Sequence, residues 1–216
     1  MKLYNLNLSP YASRVRIAIY AKNLPVEIVA PPGGLGSAEY GAISPLGKVP
    51  ALEVDGQLIV ESEVINEFLE DRFPTPSLRP ADPLARARMR MLSRFADLYL
   101  SPPLSALFTQ MNPVTRDAKL VGEKLAELST RFDQLERLVV AGPYAAGAEL
   151  SLADCALAPV FFFLTRIIPA VGGKSPLEGR PKLAQIGETL GKHPAVAKVT
   201  AEQTAAMAER LKGGGR

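Results

Sequence analysis

Two serines stand where this sequence hands an extended segment over to a helix: Ser9 ahead of Pro10, and Ser62 behind Glu61. Ser9-Pro10 fits an N-cap followed by proline at the first helical position, where the missing amide donor costs nothing. The same arrangement suits chemistry. A hydroxyl beside unpaired helix amides, at the positive end of a helix dipole, stabilises an anion brought to it. A thiol held there ionises more readily, because the ordinary thiol pKa of about 8.5 falls at helix N-termini. Ser62 reads as a second N-cap whose free amides suit a carboxylate, and Glu61 suits an ammonium group. The pair would hold the α-carboxylate and α-amine of an amino acid, although a plain cap beside an exposed acid fits equally well.

Between them lies Ser44-Pro45-Leu46-Gly47-Lys48-Val49-Pro50-Ala51-Leu52. A proline opening a strand after Val49 is compatible with a cis peptide that turns the Val49 backbone outward, to pair with an extended ligand. It is equally compatible with a trans proline on an edge strand. Other chemistries are excluded by count. The single cysteine, Cys155, allows no intramolecular disulfide and no paired-thiol redox centre. With one histidine, His193, no His-rich zinc site can form within the chain; carboxylate sites are possible but have no support in the sequence, and no metal is expected. His193-Pro194 reads as the opening of a last helix rather than as a triad member.

These residues need a scaffold, and the first 76 residues supply one of mixed type. Leu3 to Leu8 reads as a period-two strand, and Tyr11 to Lys22 as a helix with Val15, Ala18 and Ile19 on one stripe. Val26 to Val29 reads as a second strand. Pro31-Pro32-Gly33-Gly34-Leu35-Gly36 is too rich in breakers for regular structure and is expected to be a mobile loop. Pro50 to Val54 and Leu58 to Val60 flank Asp55-Gly56-Gln57, a strong hairpin signal. A helix from Ser62 to Arg72 follows, with Val64, Ile65, Phe68 and Leu69 expected to face inward. The order is β-α-β, a loop, then β-β-α.

Phe73-Pro74-Thr75-Pro76-Ser77 breaks the pattern and marks a domain boundary. The chain divides into a first domain over 1–76, a linker over 77–82, and an all-helical domain over 83–216. In the latter, Pro83 to about Met111 reads as a long helix bent at Pro102-Pro103. Val121, Leu125, Leu128, Phe132, Leu135 and Val139 recur at bundle spacing. Ser151-Leu152-Ala153-Asp154 has the form of a capping box opening a buried helix to about Ile168. Its longest apolar run, Cys155 to Leu164, is too short for a membrane span, which takes about 20 residues. Gly213-Gly214-Gly215-Arg216 is expected to be a disordered tail.

The N-terminus lacks the apolar run and cleavage site of a signal peptide, so a cytoplasmic location is expected. Net charge is +3, but residues 1–76 carry −3 and the remainder +6. No Lys/Arg-rich run with interleaved aromatics appears, which argues against nucleic acid as a partner.

The run Pro45-Leu46-Gly47-Lys48-Val49-Pro50-Ala51-Leu52, followed by Glu61-Ser62, resembles the glutathione-binding half of the cytosolic glutathione S-transferases. Ser9-Pro10-Tyr11 with Arg14-Val15-Arg16-Ile17-Ala18 is similar to the serine-type classes tau, zeta and theta. Ser151 to Asp154 matches the family's capping box, so the likeness covers nearly the whole chain. It implies a thioredoxin-like α/β N-terminal domain, an all-helical C-terminal domain, and a homodimer. It implies that Ser9 hydrogen-bonds the glutathione sulfur and favours its thiolate, with Ser13 in reserve. Val49 would pair its backbone with the cysteinyl unit, and Pro50 would be cis. Glu61 and Ser62 would hold the γ-glutamyl end, and Lys48 the glycine carboxylate. Glutathione, as co-substrate, then supplies the nucleophile, so the protein needs none of its own.

Such proteins conjugate glutathione to small apolar electrophiles. The same thiolate also serves isomerases, dehalogenases, etherases and peroxidases, and the fold also occurs in non-catalytic binding modules. Zeta-type isomerases carry a Ser-Ser-Cys run where this chain has Ser9-Pro10-Tyr11, which argues against isomerisation of the maleylacetoacetate type. The beta class uses a cysteine where this chain has Ala12 and Ser13. The resemblance puts the electrophile site between the domains, fed by Tyr11, Tyr99, Leu104 and Phe108, and Phe161 or Phe162. Asp97 falls where a partner subunit's acid reaches the glutathione ammonium in related dimers. Arg86, Arg90 and Arg94 form a stripe that would suit a partner surface bearing Glu63, Glu67 and Glu70.

Overall fold

The structure, a computed structural model, describes residues 1–213. Residues 1–78 form one compact unit together with the last helix, and residues 79–192 form a second. The sequence places that last helix with the helical domain, whereas it packs along the first helix of the N-terminal unit.

In the first unit, β1 (Lys2–Tyr4), α1 (Pro10–Ala21), β2 (Glu27–Val29), α2 (Ala38–Ile43), β3 (Ala51–Val54), β4 (Gln57–Val60) and α3 (Ser62–Arg72) follow in order. The sheet runs β2-β1-β3-β4, with β1 parallel to β2 and the other pairs antiparallel. This is the thioredoxin-like half of the expected fold. The β3–β4 hairpin turns on Asp55 and Gly56, both at positive φ (51° and 78°), as the Asp-Gly signal requires.

β1 stops at Tyr4 rather than Leu8. Asn5 donates its side chain to Asn7 Oδ1 (2.9 Å), and Ser9 N–H closes a turn on Leu6 O (2.9 Å). These local bonds compete with the ladder. The short helix α2 carries no periodic signal to announce it. Ser37 caps it, accepting from Tyr40 N–H (3.0 Å) and donating to Pro32 O (2.7 Å), and so closes the glycine-rich stretch. On α3 the inward face is more polar than expected. Ile65 and Leu69 are buried, but Val64 is 54% exposed and Phe68 half-buried, while Ser62, Asn66 and Glu70 are buried. Glu70 pairs with buried Lys22 (2.6 Å), whose ammonium also donates to Phe73 O and Pro76 O. The segment after α3 is thereby tied back to α1.

The second unit is helical: α4 (Pro83–Phe95), a π-helical segment (Ala96–Leu100), α5 (Ser101–Phe108), α6 (Ala118–Leu138), α7 (Leu152–Ala170) and α8 (Pro181–Lys192). The irregularity in the long helix lies just upstream of the proline pair. Pro102 and Pro103 lack amide donors, so the ladder slips and Ser101 donates both N–H and hydroxyl to Ala96 O. The helix ends at Phe108, short of Met111. α7 is long and apolar enough to cross a membrane, yet 83% of its apolar window is buried inside the fold. α9 (Pro194–Gly213) then returns to the first unit, with His193 Nδ1 accepting from Ala195 N–H (3.3 Å). Gly213 ends this helix, and Gly214, Gly215 and Arg216 of the expected tail lie outside the described residues.

The capping box at α7 forms. Asp154 accepts from Ala145 N–H (2.8 Å), Ser151 N–H (2.9 Å) and the Ser151 hydroxyl (2.7 Å). Burial nevertheless outweighs these bonds and pushes its carboxyl up to about 6. With an unfolded value of about 3.9, the folded chain holds this proton more tightly. The group's contribution is therefore full below about pH 4 and is lost as pH rises through about 6, a change on the order of 3 kcal/mol. In urea melts, the stability advantage of wild type over Asp154→Asn is expected to shrink by that amount between about pH 4 and about pH 7. A constant difference would contradict the raised pKa.

Candidate functional site

The strand register gathers the expected site residues at one end of the sheet. Tyr4 closes β1, Ala51 opens β3 and Val60 closes β4, and these three stand side by side. The segments leading to Ser9, out of Val49-Pro50 and into Glu61-Ser62 therefore leave the sheet at the same edge. A cluster of Tyr4, Tyr40 and Ala51, with Val29, Ile43, Val49, Leu58 and Val60 packed on it, underlies that edge.

Ser9 is the N-cap of α1, half-buried, with Oγ accepting from Ala12 N–H (3.2 Å). Its hydroxyl proton is left to donate. The first turn of α1 holds Pro10 and no acidic residue, so nothing on it offsets the positive helix end. Tyr11 beside it is 39% exposed, with the Arg14 guanidinium over its ring at 5.4 Å. Ser13 is fully buried and its hydroxyl accepts from Arg16 (2.9 Å). It faces the interior, one helical turn from the exposed end, and is withdrawn as reserve for Ser9.

Val49-Pro50 is cis. Among the described residues, no hydrogen bond takes up the Val49 N–H or C=O, which leaves both for an extended ligand. The loop is held from below by Tyr40, whose hydroxyl donates to Lys48 O (2.7 Å). Burial pushes the Tyr40 phenol up, so it remains a donor. The Lys48 side chain is exposed. Tyr40 was not legible as a site residue, because a lone aromatic in a six-residue helix has no motif around it. Tyr40→Phe is expected to cost about 1 kcal/mol in a denaturant melt, the worth of one hydrogen bond. A larger loss, with the ring retained, would mean that the phenol holds more than this loop.

Glu61 rather than Ser62 occupies the N-cap of α3, and Ser62 is the first helical residue, 5% exposed. Glu61 makes no side-chain cap bond and holds φ 70°, ψ 116°. A non-glycine residue kept there stores about 1–3 kcal/mol of strain, the kind of outlier that concentrates at ligand sites. Its exposed carboxylate is thus turned away from capping. Arg14, 1% exposed, crosses from α1 to Glu63 in the first turn of α3 (2.9 Å), and so fixes the two helix starts relative to each other.

In the helical unit, Tyr99 is 41% exposed, with Arg131 over its ring at 5.0 Å, and Phe108 is 40% exposed against Phe163. Leu104, Phe161 and Phe162 are buried at 2%, 5% and 5%, so they fill the core instead of lining a pocket. Asp97 receives Arg94 (3.4 Å), and Arg86 donates to Pro80 O and Ala81 O. Glu70, expected on a partner-facing surface, is buried in its pair with Lys22.

The model of the glutathione S-transferase N-terminal domain matches residues 3–77, and that of the glutathione S-transferase C-terminal domain matches residues 94–194. A glutathione S-transferase of Pseudomonas putida is 31% identical over 212 residues, spanning 96% of this chain and 94% of that protein. A maleylacetoacetate isomerase of Pseudomonas aeruginosa is 30% identical over 203 residues, spanning 90% and 93%. The crystal structure of a maleylacetoacetate isomerase from Anaeromyxobacter dehalogenans, with glutathione bound in its active site, superposes with a TM-score of 0.74 at 29% identity, covering 92% of this chain and 93% of that one.

Proposed function

Since the chain belongs to the glutathione S-transferase family, we propose that it binds glutathione along the shared sheet edge and presents it as a thiolate to small hydrophobic electrophiles. The observation that carries this is the alignment of Tyr4, Ala51 and Val60, from which the segments holding Ser9, Val49-Pro50 and Glu61-Ser62 run off one end of the sheet. The Val49 backbone pairs with the cysteinyl unit, Glu61 takes the γ-glutamyl ammonium and Ser62 its carboxylate, and Lys48 meets the glycine carboxylate. Ser9 donates its hydroxyl proton in a hydrogen bond to the sulfur. The thiol proton leaves to solvent, the sulfur lone pair forms the new C–S bond, and the electrophile's leaving group departs with its bonding pair. Tyr99 and Phe108, without Leu104, are the proposed apolar contacts for the electrophile in the helical unit. The protein works in the cytoplasm as a homodimer. Exposed Met91 and Leu98 support the dimer, and sedimentation is expected to give twice the chain mass.

A second reading, glutathione-dependent cis–trans isomerisation, is favoured by relatives named maleylacetoacetate isomerase. There the thiolate adds reversibly to a double bond and is released after rotation, so glutathione is recovered. The two readings separate in one assay pair. Turnover of a chloronitrobenzene with consumption of glutathione supports conjugation. Conversion of a maleyl-type substrate without consumption supports isomerisation and would displace the first reading.

A further inference from the structure

We infer that Arg16 and Glu202 are positioning residues for Ser9, an inference that rests on the role proposed for Ser9 above. Ser9 is the hinge between the turn that ends β1 and the first turn of α1. The Arg16 guanidinium, 1% exposed, holds both sides of that hinge. Nη2 donates to Asn7 O (3.0 Å), two residues before Ser9, and to the Ser13 hydroxyl (2.9 Å), four residues after it. The turn is fastened further by Ser9 N–H on Leu6 O and by Asn5 on Asn7 Oδ1.

A buried cation needs a counter-charge, and it comes from the far end of the chain. Arg16 Nη1 pairs with Glu202 Oε2 on α9, and Glu202 Oε1 accepts from the Tyr20 hydroxyl (2.8 Å). Lys198, one turn before Glu202, lies over the Tyr20 ring at 3.8 Å. A tie between α1 and α9 alone would need only the Arg16–Glu202 pair. The reach of the guanidinium to a backbone carbonyl in the turn before Ser9 is left over by that explanation. It makes α9 a strut for the serine.

A displacement of about 1 Å at a catalytic hydroxyl costs up to about 10²-fold in rate. Lysine in place of Arg16 keeps the charge but lacks the planar fork that spans both sides of the hinge. Arg16→Lys is therefore expected to lower kcat at least about tenfold and raise the pKa of bound glutathione by about one unit, with KM for glutathione within about twofold at acidic pH, where both proteins hold the protonated thiol. Glu202→Gln is expected to move the same quantities in the same direction. It carries the test if Arg16→Lys fails to give a native thermal melt. A native variant with an unchanged thiol pKa overturns the inference, as does a raised KM at unchanged kcat. If wild type itself forms no thiolate, the Ser9 role fails and this inference with it, an outcome visible before any variant is made.

Discussion

Ser9→Ala is expected to slow glutathione-dependent turnover by about 10²- to 10³-fold, the loss found when one donor to a developing anion is removed. The hydroxyl stands half-buried at the start of α1, with one lone pair on Ala12 N–H and its proton free for the sulfur. Deleting it leaves the helix end but removes the charge-assisted bond. The pKa of bound glutathione should then rise by about two units, the same free energy read by titration. Affinity tells the roles apart. At acidic pH, where wild type and variant both hold the protonated thiol, the dissociation constant should stay within about twofold, because the donor acts on the thiolate. Near neutrality, wild type gains the linked ionisation and binds several-fold tighter. An unchanged thiol pKa in the variant would remove Ser9 from the mechanism. Buried Ser13 would not replace it.

The double change Glu61→Ala, Ser62→Ala acts on binding instead. These residues meet the charged γ-glutamyl end, and bonds to charged groups are worth about 1.5–3 kcal/mol each. Calorimetry should show glutathione affinity weakened by about 10²- to 10⁴-fold, with the thiol pKa of the residual complex unchanged. The fold should tolerate the change. Glu61 makes no cap bond, and alanine at a positive φ of 70° carries the same backbone strain as glutamate. If affinity survived, the γ-glutamyl assignment would be wrong, and the strain at Glu61 would need another cause.

Much of this architecture is legible in the residues, for local reasons. Asp55-Gly56 dictates its hairpin, Ser62 to Arg72 forms the helix its spacing describes, and Ser151 with Asp154 caps α7 as the box pattern requires. What was not legible depends on contacts between distant segments. The burial of Ser13 follows from Arg16, and Arg16 is held by Glu202, 186 residues away. The inward turn of Glu70 follows from Lys22, 48 positions before it. Each is a polar residue whose type alone suggests a surface. Leu104 illustrates the converse, an apolar helix residue whose spacing does not say whether it fills the core or faces a ligand. The π-helical segment was legible only to within a turn, because a proline pair says that the ladder must fail without saying how far upstream it slips.

The most direct test is to titrate the wild-type protein with glutathione in a calorimeter while following thiolate absorbance across pH. Saturable binding is expected, with the bound thiol ionising well below its value in free solution. Absence of binding at millimolar glutathione would contradict the account. So would binding with the thiol titrating as it does in water, since the helix end and Ser9 would then be scaffold alone.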